Sequence, residues 1–174
     1  LPPLEASRTH RIGLTVRERE LEVAPATTLA AMTYNGQFMG PVLQARLGER
    51  MQVHLVNDGS MGHSIDFHAS RSSPDTTMRT ISPGRSLDVE FTIDHAGIWL
   101  YHCSTMPMSA HIAAGMFGAL IVAPADLPTV ERQYVLVQSE TYLAEQNNQP
   151  VDTGKIADEK VDLTMFNGHA NQYL

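Results

Sequence analysis

From Ser86 to Asp94 apolar and polar residues alternate without a break. Leu87, Val89, Phe91 and Ile93 fall on one side, and Asp88, Glu90, Thr92 and Asp94 on the other. A period of two marks a half-buried strand, because successive side chains leave a strand on opposite faces. Ile12 to Val23 alternates more loosely. Met51 to Val56 forms a second run before the turn Asn57-Asp58-Gly59. Gly97 opens a run from Ile98 to Cys103, and Gly118 to Val122 is a short apolar run ending at Pro124. Turn residues recur at Asn35-Gly36, Gly40-Pro41, Leu47-Gly48, Ser82-Pro83-Gly84 and Ala96-Gly97, a spacing suited to a sandwich. Helical periodicity is weak, the best stretch being Ser109 to Ala114, stopped by Gly115. The expected fold is all-β, a Greek-key β-sandwich.

Ala123-Pro124-Ala125-Asp126-Leu127-Pro128 reads as a linker. Strand character returns at Arg132 to Ser139, polar turn-like sequence runs to about Lys160, and Leu163 to Phe166 is a last short strand before Asn167-Gly168. About 50 residues after the linker are too few for a second sandwich of ~100 residues. Residues 1–124 are therefore expected to form one domain, and 125–174 a linker with the N-terminal part of a second, truncated domain. The opening Leu1-Pro2-Pro3 reads as the start of a processed or trimmed product.

Composition narrows the function. The net charge of −7, with no basic run, argues against nucleic acid and anionic membrane surfaces as partners. The longest apolar stretch, from Phe117 to Pro124, is too short for a membrane span. A single cysteine excludes an internal disulfide.

That cysteine carries the chemistry. Cys103 follows His102 and precedes His111 and Met116 in a Cys-x7-His-x4-Met pattern, and His63-Ser64-Ile65-Asp66-Phe67-His68 lies upstream. Two histidines, a thiolate and a distant methionine form the donor set of an electron-transfer copper centre. Met106 and Met108 compete with Met116 for the axial place and rank below it. The bland alternative makes Cys103 a small core residue.

Strand parity divides the remaining donors. If both stretches are extended, His63 and Cys103 face one side, while Asp66, His68 and His102 face the other. Two metal sites back to back would then be joined by the His102–Cys103 peptide bond, a short covalent route for an electron. The second site holds only two histidines, whereas a catalytic metal wants a third ligand and an open position. Asp66 is a candidate for relaying a proton there. Its structural alternative is to cap a turn or pair with an arginine such as Arg79. His10, His54, His95 and His169 read as surface histidines, and Trp99 and Tyr101 as core.

With these residues the chain resembles the copper-containing nitrite reductases and the related two-domain multicopper oxidases. The carrying segments are Asn35-Gly-Gln-Phe-Met-Gly-Pro41, His63-Ser-Ile-Asp-Phe-His68, Gly97-Ile-Trp-Leu-Tyr-His-Cys103, His111-Ile-Ala-Ala-Gly-Met116-Phe-Gly-Ala and Phe166-Asn-Gly168. The resemblance implies a cupredoxin fold, with His63, Cys103, His111 and Met116 as type 1 copper ligands. It implies His68 and His102 as type 2 copper ligands and Asp66 as the active-site aspartate. A third type 2 histidine is expected from the second domain of a neighbouring subunit in a homotrimer. The loop from Cys103 to His111 is one residue shorter than in familiar nitrite reductases.

The expected function is a copper-dependent oxidoreductase, nitrite-reductase-like. It would pass an electron from the type 1 copper through His102–Cys103 to a type 2 copper that reduces a small substrate such as nitrite. Its partners are an electron donor and a small-molecule substrate, and its location periplasmic or secreted. A laccase-like oxidase using dioxygen is the first alternative. Its trinuclear cluster needs His-x-His pairs, and Asp66 and Ser104 stand where two of those histidines belong. A non-enzymatic electron-transfer or copper-binding cupredoxin is the second alternative.

Overall fold

The structure is a computed structural model that describes residues 8–128 and 130–171. The Leu-Pro-Pro opening and Leu174 lie outside the described residues. The first sheet contains β1 (Thr9–Ala24), β2 (Thr27–Tyr34), β4 (Arg50–Asn57) and β6 (Ser86–Thr92), in the order β2-β1-β4-β6. The second contains β3 (Leu43–Arg46), β5 (Asp66–Phe67), β7 (Gly97–His102) and β8 (Phe117–Ala123), in the order β3-β8-β7-β5. β1 runs parallel to β4 and β3 parallel to β8, while the other pairs within these sheets are antiparallel.

Alternation decides what each strand buries. Leu87, Val89 and Phe91 of β6 are buried and the residues between them exposed, as their period requires. They meet Leu14, Val16, Val53 and Leu55 of the same sheet and Leu43, Tyr101, Leu120 and Val122 of the other in one core. Each large apolar side chain so buried contributes about 1.5–3 kcal/mol. Cys103 and Met116 belong to this same core, so these two candidate donors are anchored in its close-packed interior.

The tail differs from expectation in two places. The strand expected at Arg132 to Ser139 begins only at β9 (Gln138–Thr141). Upstream of it the backbone bonds a side chain instead of a ladder: Asn167 Nδ2 donates to Val135 O, and Asn167 Oδ1 accepts from Val137 N. Within the polar stretch lies α3 (Thr153–Ala157), too short for apolar periodicity but capped by Asp152, whose Oδ1 accepts from Gly154 N and Lys155 N. β9 pairs with β10 (Leu163–Phe166), and Val151, Met165 and Ala170 join Val23, Leu29, Phe38 and Phe117 in a second core. Backbone bonds from Ala30 N to Gln149 O and from Ala170 N to Val23 O bind the tail to the sandwich.

Candidate metal centres

The pairing of β5 with β7 sets Asp66 opposite His102 and Phe67 opposite Tyr101. Phe67 and Tyr101 point into the core, so Asp66 and His102 point away from it and Cys103 returns to the core side. His63 is not on a continuous strand with Asp66. It is fixed by an isolated bridge to Ile81, with His63 N donating to Ile81 O at 3.1 Å and Ile81 N to His63 O at 2.7 Å. His111 comes from α2 (Met108–Ala113), the helical piece expected from the sequence.

These elements bring His63, Cys103 and His111 together with their donor atoms within 4.8 Å of one another, all three buried. Cys103 Sγ lies 3.3 Å from His111 Nδ1, and Ser64 N donates to it at 3.4 Å. Burial pushes the thiol up, but the neighbouring His111 and His63 rings and the Ser64 and Thr105 backbone N–H groups bring its pKa down to about 5. The thiolate is the form that binds metal. His63 Nδ1 is buried without a hydrogen-bond partner. A buried bare nitrogen beside a thiolate and a second imidazole fits a soft or borderline cation such as copper.

Met116 is fully buried, and its backbone ties both neighbours: Met116 N donates to His111 O, and Cys103 N to Met116 O, each at 3.0 Å. Gly115 makes this return possible. Its φ is +112°, and a Cβ there would stand 3.1 Å from both Met32 O and the Phe38 ring. Met106 and Met108 are 79% and 40% exposed.

A second group, Asp66, His68 and His102, also has donor atoms within 4.8 Å of one another. His102 Nδ1 lies 3.0 Å from the Cys103 carbonyl oxygen, which only accepts. The hydrogen therefore sits on Nδ1 and leaves Nε2 bare, 3.0 Å from His68 Nε2. Two such nitrogens at that distance need a proton or a cation between them. Asp66 accepts from Thr77 Oγ1 at 3.4 Å and lies 3.8 Å from His68 Nε2; Thr77 ends α1 (Pro74–Thr77). The side chain of His68 is 44% exposed, that of Asp66 15%.

The other histidines sort differently. His54 is exposed beside Asp88, His95 lies between Asp94 and Arg71, and His169 is exposed. His10 corrects the surface reading. It is buried, with Nε2 2.7 Å from Glu49 Oε2, because β1 turns its even positions inward from His10 to Val16. Glu18 and Ser64 were missed by sequence reasoning. Ser64 Oγ accepts from Ser104 N and Thr105 Oγ1, and Glu18 Oε1 lies 3.3 Å from His63 Nε2. Parity could have found Glu18, which continues the inward series of Leu14 and Val16.

Comparison with known proteins places these groups in context. Residues 15–126 match the family model of the multicopper oxidases. A copper-containing nitrite reductase of Neisseria gonorrhoeae is 29% identical over 167 residues, covering 91% of this chain and 43% of that protein. Its counterpart from Alcaligenes xylosoxydans xylosoxydans is 33% identical over 151 residues, covering 79% and 46%. The chain thus spans less than half the length of these curated relatives. Among solved structures, a copper nitrite reductase from Nitrosomonas europaea superposes with a TM-score of 0.85 at 35% identity, covering 92% of this chain and 57% of that one. A multicopper oxidase superposes with a TM-score of 0.82 at 26% identity, covering 95% and 56%.

Proposed function

The chain belongs to the multicopper oxidase family, and we propose that it forms part of a copper-dependent oxidoreductase of nitrite-reductase type. One observation carries this reading: two donor groups of different chemistry lie on either side of β7, joined by the His102–Cys103 peptide bond. In this reading His63, Cys103, His111 and Met116 hold a type 1 copper, and His68 and His102 hold a type 2 copper. Copper would supply one-electron transfer at the first group and binding and reduction of a small oxyanion such as nitrite at the second.

The chain's own residues prepare both tasks. Burial and the Ser64 N–H hold the Cys103 thiolate away from water, which keeps it from side reactions. The His102–Cys103 peptide is the shortest covalent path between the groups, and His102 Nδ1 donates to the carbonyl oxygen of Cys103. Asp66 stands beside the open histidine, where its carboxylate can receive and return a proton; Thr77 orients it. His68 and His102 leave room for a third ligand and a substrate.

The naming of the similar nitrite reductases supports the substrate, and Asp66 and Ser104 in place of histidines disfavour a dioxygen-reducing trinuclear cluster. In the same reading residues 1–124 form the cupredoxin domain, and 125–174 the linker and opening part of a second. The assembly is a homotrimer whose neighbouring subunit supplies the third type 2 ligand, served by an external electron donor in the periplasm or outside the cell. No described helix is long and apolar enough to cross a membrane. Copper analysis with an anaerobic nitrite assay tests the proposal. Two coppers per chain with nitric oxide formed is the expected result; two coppers with none formed removes nitrite as substrate.

A further inference from the structure

His63 offers two ring nitrogens, and the structure gives them opposite surroundings. Nδ1 is buried without a partner, in a residue whose donor atom joins those of Cys103 and His111. Nε2 lies 3.3 Å from Glu18 Oε1. An ionised carboxylate only accepts, so Nε2 carries the hydrogen and Nδ1 is left bare. Glu18 is itself held. Ser60 N donates to its two carboxylate oxygens, at 3.0 Å each. Gly59 makes room for it, since a Cβ at that position would stand 2.7 Å from Glu18 Oε1.

We propose that Glu18 is the positioning residue of the Cys103 centre, fixing the ring orientation and the tautomer in which His63 presents Nδ1. The Gly59-Ser60 turn is the clamp that holds Glu18 in place. This rests on the copper reading of the His63, Cys103 and His111 group. A metal-bound imidazole characteristically donates its other N–H to such a partner, which sets ligand basicity and orientation. The carboxylate also adds negative charge beside the ligand, favouring the more highly charged oxidised metal.

Three variants of the copper-loaded protein test this: Glu18→Ala, Glu18→Gln and Gly59→Ala. The readouts are copper affinity, the Cys103-dependent visible band, the reduction potential and the melting temperature of the metal-free protein. Glu18→Ala is expected to weaken copper binding at this centre by about 10–100-fold and to shift the band. Glu18→Gln keeps an acceptor oxygen, so it preserves the band. Loss of the charge favours the reduced form by about tenfold, about 59 mV for one electron. Gly59→Ala, which displaces the carboxylate, moves affinity in the same direction as Glu18→Ala but less. Wild-type affinity, band and potential in Glu18→Ala overturn the proposal. So does a lower metal-free melting temperature with an unmoved potential, because that describes a merely structural residue. A wild-type protein with no Cys103-dependent band overturns the copper reading and this inference together; a normal band with inert Glu18 variants overturns the inference alone.

Discussion

His63, Cys103 and His111 are sealed in the sandwich core, while His68 stands with 44% of its side chain exposed beside a buried His102. The sealed group draws donors from three separated stretches of chain and surrounds its thiolate with N–H groups. The open group has two imidazoles, a carboxylate and solvent. Electron transfer benefits from a rigid, dry centre that need not change shape. Substrate reduction needs an accessible position and a proton donor. The difference lies in burial rather than in sequence distance, since the two groups meet at consecutive residues.

The variants that separate the groups have graded effects. Cys103→Ser should have the largest. It should abolish the intense visible band and lower turnover by more than about a hundredfold, because a primary ligand is worth more than its supporting partners. Spectroscopy and copper content would report it, and a retained band would contradict the assignment. His68→Ala should remove one copper, leave the band intact and change stability by no more than about 0.5 kcal/mol, since the side chain is exposed. Loss of the band in that variant would mean that the two groups are not separable. Asp66→Asn should keep both coppers and cut turnover by about 10²–10⁴-fold, the usual worth of a positioned proton-transfer group. Undiminished steady-state rates would remove Asp66 from the chemistry.

Met116→Leu is a near-isosteric change costing less than about 1.5 kcal/mol. It should raise the potential of the sealed centre, whereas Met106→Leu, at an exposed position, should leave it unmoved. The smallest effect on copper is expected at the opposite end of β1. Burial raises the Glu49 carboxyl, but His10 and the Arg46 N–H hold it below its ordinary range. A depressed folded pKa adds stability that is present above the unfolded carboxylate pKa and is lost as pH falls through the folded one. Glu49→Gln should therefore cost about 1–3 kcal/mol at neutral pH and flatten the acid side of the stability curve. The two copper signals should stay as they were.

The sandwich was legible because alternation in β6 and the turn residues around it are local signals, and side-chain parity follows from strand geometry alone. Parity also separated His63 and Cys103 from His68 and His102, although the intervening stretch is extended over only two paired residues. The same rule applied to β1 would have turned His10 and Glu18 inward. They were passed over because each is polar: His10 precedes the loosely alternating run from Ile12 to Val23 and Glu18 interrupts it, so polarity outweighed period. The tail was harder. Asn167 replaces a strand partner for Val135 and Val137 from 30 residues away, a contact no local pattern announces. α3 has a single turn and only Asp152 to mark it.

Electron paramagnetic resonance of the oxidised, copper-loaded protein tests the division into a sealed and an open centre most directly. The account predicts two copper signals of equal weight, one lost in Cys103→Ser and the other lost in His68→Ala. A single signal, or two signals that disappear together in either variant, would contradict it.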